Sequence, residues 1–258
     1  MNRLLDNEGL RKALSEAGSI LPERTNAFVF GGGAMVFRNQ KATTKDVDVI
    51  FEEPSQARAF GNALQKIGFA KEKNLTAPYE LMHATGGIWI RSDSRFDVFG
   101  KTVMGKLALT PSMKRRSTFV TEFGNLAVHL LSNEDVAFFK AITNRPGDVD
   151  DIAAIASSTN LNWNVILEEC KQQSVKRPWY GAVYNQLAEL KAPERIKIGA
   201  PIIDAPILRE LLQLDETSIL AEAFKRRLQM GKSREQALKE LRTEGASEED
   251  LKRPDTFN

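Results

Sequence analysis

The chain has one cysteine, Cys170, in 258 residues, and two histidines, His83 and His129. A lone thiol cannot close a disulfide within the chain, and it argues against a zinc site built from cysteines. Two histidines are too few for a His-rich metal centre and a poor basis for a His-driven triad. No apolar run approaches the roughly 20 residues that a membrane span needs. The N-terminus, MNRLLDNEGLRKALSEAG, mixes acids into its apolar positions and lacks a signal-peptide core. The expectation is a cytoplasmic protein with no membrane partner. Net charge is only +2, so overall charge does not advertise a nucleic-acid binder. The glycine-rich motifs of common nucleotide folds are also missing. Gly31-Gly32-Gly33 has Val36 where the dinucleotide fingerprint needs a third spaced glycine, and no Gly-Lys-Ser/Thr follows as in a P-loop.

What is present is concentrated between Phe28 and Phe51, FVFGGGAMVFRNQKATTKDVDVIF. It reads as an apolar strand, a glycine turn, a short helix and a second strand carrying Asp46 and Asp48. Side chains two residues apart on a strand share a face, with Cα atoms about 6–7 Å apart. Val47 and Val49 take the other face. Asp is disfavoured in strands, and like charges on one face repel; a shared Mg²⁺ removes that penalty. Glycines at a strand-to-helix turn let a polyphosphate approach the backbone. Together these are the means of phosphoryl or nucleotidyl transfer.

Asp97, in Arg95-Phe-Asp-Val-Phe, repeats the pattern of an acid between apolar residues in a strand. Three carboxylates offering only oxygen ligands suit Mg²⁺. Just after it, Val98 to Thr121 holds Lys101, Lys106, Lys114, Arg115 and Arg116 without an acid, which is either a solvated loop or a nucleic-acid contact. A further cluster, SNEDVAFFKAITNRPGDVDDIAAI, sets Lys140 and Arg145 near Asp148 and Asp151. The two acids are expected to cap a helix and to hold Lys140 or Arg145. Lys140 is the candidate cation for NTP phosphates.

Periodicity predicts helices at 3–18, 33–39, 55–67 (capped by Ser55), 134–144 and 149–157. Strands are expected at 27–30, around Asp46–Phe51, and at 79–84, 87–91, 95–99, 118–121 and 126–130, with Asp93-Ser94 turning a hairpin. Beyond Asn162 only helices are expected, at 162–173, 178–191, 206–213, 215–230 and 233–243. The fold class is therefore α+β, with an α/β part over 1–158 and a helical part over 159–258. Trp163, Trp179 and Tyr180 are read as core more readily than as base-stacking residues.

GGGA, a threonine-containing connector, DVDV, a later FDVF and the helix FFKAITNRPGDVDDI together resemble the nucleotidyltransferase superfamily, over about residues 26–155. The likeness is to its prokaryotic abortive-infection and toxin–antitoxin branch. The resemblance implies a mixed sheet flanked by helices, with Asp46, Asp48 and Asp97 as catalytic metal ligands for Mg²⁺. It places Gly31 and Gly32 against the phosphates of an NTP such as ATP, with Lys45 and Lys140 as further phosphate contacts. Relatives often carry an arginine four residues before the first acid, where this chain has Ala42; Lys41 and Lys45 are the substitutes at hand. The implied reaction moves an NMP to an acceptor hydroxyl and releases pyrophosphate. A tRNA 3′ end is the favoured acceptor, met through Lys114, Arg115 and Arg116, with a cognate antitoxin as a further partner. The alternatives are a protein side chain, an aminoglycoside-like small molecule, or a catalytically silent binding module.

Overall fold

The computed structural model describes residues 4–73, 84–92, 94–103, 105, 107–143, 145, 147–175, 178–191 and 205–252. The chain forms two compact units, Met1–Asn162 and Trp163–Asn258. The first unit holds a seven-stranded mixed sheet with helices, and the second is helical among its described residues, so the α+β class expected from sequence is the one adopted.

Helix α1 spans Asn7–Gly18, four residues later than its periodicity predicts. Asp6 is the reason: its carboxylate accepts the Gly9 N–H at 2.8 Å, an N-cap that commits the residues before it to extended backbone. Leu5 spends its N–H and C=O on Thr44 instead, in an isolated bridge at 2.8 and 2.9 Å. Strand β1 (Thr25–Phe30) then runs straight into α2 (Gly31–Phe37), and β2 covers Val47–Phe51, leaving Asp46 just outside the strand. Helix α3 (Pro54–Lys66) starts one residue before the expected Ser55 cap. Proline suits the first helical position because its missing N–H would have no partner there. Glu53 becomes the cap, and its own N–H is accepted by the Gln56 side chain at 3.0 Å.

Strands β3 (Ala70–Lys71), β4 (Gly87–Arg91) and β5 (Ser94–Gly100) follow, then the small pair β6 (Thr102–Val103) and β7 (Leu107–Ala108). The strand expected at 79–84 falls, apart from its last residue, outside the described residues, as do His83, Asp93 and Lys106. A short helix α4 (Pro111–Arg116) occupies the basic segment that reads as loop, capped by the Thr110 hydroxyl. Strands β8 (Thr118–Phe123) and β9 (Leu126–Leu130) lead to α5 (Asn133–Thr143) and α6 (Asp148–Ser158).

Sheet order is β3-β4-β5-β2-β1-β9-β8, with β2 at the centre and buried throughout. It runs antiparallel to β1 and parallel to β5, placing Asp48 opposite Phe30 and beside Asp97. Register partners share a face, so both carboxylates stand on the side carrying Phe30 and Phe99. The Phe30 ring meets Phe99 at 5.7 Å and Phe139 of α5 at 5.4 Å. The opposite face is apolar: Phe51 and Phe96 pack on Phe60 of α3 at 5.1 and 5.6 Å.

In the second unit, α7 (Trp163–Gln173), α8 (Tyr180–Glu189) and α9 (Ala205–Gln229) share a core that includes Ile166, Leu167, Cys170, Val183 and Leu211. Trp179 is buried there, as a core aromatic. The two helices expected at 206–213 and 215–230 are one: nothing between them breaks the helical hydrogen bonding. Its end packs with α10 (Arg234–Thr243) and α11 (Glu248–Lys252) around Phe224, Ala237, Leu241 and Leu251. The α11 turn, capped by Ser247, was not expected from periodicity.

Candidate active site

Alternation along β2 and its register with β5 bring Asp48 and Asp97 side by side, about 5 Å apart at Cα as in any neighbouring strands. They are 4% and 1% exposed. Asp46, half-buried at the strand entrance, completes the acidic group. Burial pushes the Asp48 carboxyl well above the usual range, and the charges of Asp46 and Asp97 push it further, against Arg145 and Lys140. No hydrogen bond from a described residue reaches the Asp48 carboxylate. For a buried carboxylate this is a costly state, and it leaves the oxygens open to a cation. Burial also raises Asp97, while Arg95 pulls it back.

The reason for glycine at position 31 is this carboxylate. Gly31 has φ +59°, and a Cβ there would overlap the Asp48 side chain. Gly32 lines the neighbouring cleft, and a Cβ on it would collide with the Thr44 hydroxyl. The cleft measures about 520 Å³ and is lined by Asp46 and Asp48 together with Lys45, Thr44 and Arg145. Lys45 is exposed at its rim, whereas Lys41 is bound to Asp151 at 2.9 Å.

Lys140 also borders the cleft, but its ammonium is buried between Asp148 (3.2 Å) and Asp151 (2.6 Å). Asp148 further accepts the Thr143 hydroxyl and the Arg145 N–H, each at 2.8 Å. Holding Lys140 and Arg145 is the role expected for these acids. The capping role is not what Asp148 does: it sits inside α6, whose cap is Gly147 at φ +88°. Arg145 is the larger opposing charge on Asp48, ahead of Lys140. Burial lowers its basicity, but Asp48, Asp148 and Asp46 outweigh that and raise it.

Two site residues went unrecognised in the sequence. Arg95 grips Asp97 with both nitrogens, Nε to Oδ1 at 2.7 Å and Nη2 to Oδ2 at 2.9 Å. The signal for it was present, since i and i+2 on one strand share a face. Thr44 is placed by its bridge to Leu5, a contact between distant segments with no local signature.

The basic segment is less basic than it reads. Lys114 pairs with Glu52 and Arg116 with buried Asp135, both at 2.5 Å, and Arg115 donates to the Ser112 hydroxyl at 3.2 Å. The acids missing locally are supplied by Glu52, just after β2, and by Asp135 of α5. Among the described residues no helix is long and apolar enough to cross a membrane.

A family model described as "Nucleotidyltransferase of unknown function (DUF6036)" matches residues 8–179, two thirds of the chain. A comparison with curated proteins gave no match. The matched span contains the whole sheet and every residue of the acidic cleft except Leu4, and the chain belongs to this nucleotidyltransferase family.

Proposed function

We propose that the protein transfers an NMP from an NTP to an acceptor hydroxyl and releases pyrophosphate, in the presence of Mg²⁺. The observation that carries this is the Asp48 carboxylate: raised by burial and by two neighbouring acids, without a hydrogen bond from a described residue, and open to a cleft that also holds Arg145. A hard divalent cation with oxygen ligands fits that donor set, and Asp46, Asp48 and Asp97 are the residues that would hold it. Bound there, Mg²⁺ supplies charge neutralisation for the polyphosphate and lowers the cost of ionising the acceptor hydroxyl.

The protein's own contribution is positioning and fixed charge. Arg145, oriented by Asp148, presents a guanidinium to the triphosphate, and Lys45 adds a mobile ammonium at the rim. Gly32 keeps the cleft floor free of a side chain. Lys140 acts at one remove: buried between Asp148 and Asp151, it fixes the frame that aims Arg145.

For the acceptor, a tRNA 3′ end modified in the manner of a toxin is the reading supported by the resemblance to toxin-type relatives. The basic segment adds little, because Lys114 and Arg116 are already paired. The experiment is a labelling screen with Mg²⁺, each α-³²P NTP in turn, and total tRNA or lysate, comparing wild type with Asp48→Asn. Label on tRNA from wild type alone supports the full reading. Label on a protein or small molecule moves the acceptor and keeps the chemistry. Absence of label with every NTP and acceptor refutes it.

A further inference from the structure

Asp97 stands next to Asp48 on the same sheet face, yet of these three carboxylates only Asp46 and Asp48 border the cleft. Both Asp97 oxygens are turned to Arg95, in a pair whose side chains are 1% and 13% exposed. A two-pronged guanidinium–carboxylate pair is strong and geometrically specific, and little water reaches this one to compete for it. Arg95 is the leading charge on Asp97 and does not figure among those acting on Asp48. Among the described residues no three acidic, histidine or cysteine side chains are gathered closely enough to hold one metal ion. The site is thus divided: an open pair, Asp46 and Asp48, and a third carboxylate already neutralised by its own strand.

Building on the nucleotidyl-transfer reading, we infer that Arg95 is a latch on Asp97. The resting protein offers cations a two-carboxylate site, and Asp97 completes a three-carboxylate site only when its side chain leaves the guanidinium. The exchange needs another anion for Arg95, and substrate supplies one. Arg95 is a positioning residue in this scheme.

The test is a Mn²⁺ titration of the substrate-free protein, followed by electron paramagnetic resonance, with Arg95→Met and Arg95→Lys alongside. Wild type is expected to bind Mn²⁺ through two carboxylates, and Arg95→Met, with Asp97 free to join them, about tenfold or more tightly, while Arg95→Lys stays close to wild type. Asp48→Asn is expected to weaken the resting site by about tenfold or more, and Asp97→Asn by clearly less. Circular dichroism melts check that each variant is folded. If Asp97→Asn weakens the resting site as much as Asp48→Asn, or Arg95→Met binds Mn²⁺ no more tightly than wild type, the latch is refuted and the metal site stands. If no variant and no wild-type sample binds Mn²⁺, the metal reading fails and the latch with it.

Discussion

Asp48→Asn is expected to stabilise the metal-free protein while removing its activity. Asp48 is 4% exposed, accepts no hydrogen bond from a described residue, and has two acids as neighbours. An uncompensated buried charge costs about 3–5 kcal/mol. Arg145 and Lys140 return part of that here, and partial protonation of the group relieves more. A net gain of about 1–3 kcal/mol for the neutral amide is the reasonable scale. For a unit of this size that is a rise in Tm of roughly 3–10 °C. The assay is thermal unfolding at pH 7 in EDTA, repeated in Mg²⁺. On the proposed metal reading the order then inverts. Wild type gains about 2.7 kcal/mol when Mg²⁺ is at a hundred times its Kd, and the variant gains little. A variant less stable than wild type in EDTA would refute the reasoning, since it would mean that Asp48 is satisfied by contacts within the fold.

Gly31→Ala should destabilise by about 2–4 kcal/mol, from a left-handed φ and from overlap with the Asp48 carboxylate, measured by urea denaturation. Lys140→Met should cost about 3–5 kcal/mol by leaving buried Asp148 without its ammonium, while Asp151 keeps Lys41, whereas Arg145→Gln, at a half-exposed position, should leave stability nearly unchanged and weaken NTP binding in calorimetry. Burial raises the Asp151 carboxyl, but Lys140 and Lys41 outweigh it and hold it below 3.8. Its folded value lies below its unfolded one, so its contribution is present above about pH 4 and fades as pH falls through and below 3.8. Asp151→Asn should therefore flatten part of the acid limb of the stability curve. The Cys170 thiol, pushed up to about 12 chiefly by burial, should react with a disulfide reagent at pH 8 only after denaturant is added.

Features with a short-range cause were legible. Alternation in VDVIF places Asp48 on the face opposite Val47 and Val49, Ser132 caps α5 through the Asp135 N–H, and Gly68 and Gly124 stop or turn the chain at positive φ. Where two local signals compete, the boundaries move: Asp6 overrides the periodicity that would start α1 at residue 3, and Pro54 displaces the Ser55 cap. The helix in the basic segment was missed because PSMKRR has no apolar stripe, only Met113 to bury.

Residue type and local spacing determined on their own that the chain would carry Asp48 and Asp97 on strands, and glycines at the turn facing them. Both follow from the two-residue period of a strand and from the steric freedom of glycine. Only the tertiary structure decided which charges meet. Lys114 finds Glu52, Arg116 finds Asp135, Lys41 finds Asp151, and Lys140 finds Asp148 and Asp151. Ion pairs form across tens of residues because burial makes an unpaired charge expensive, and burial is a property of the packed sheet and helices rather than of any segment read alone.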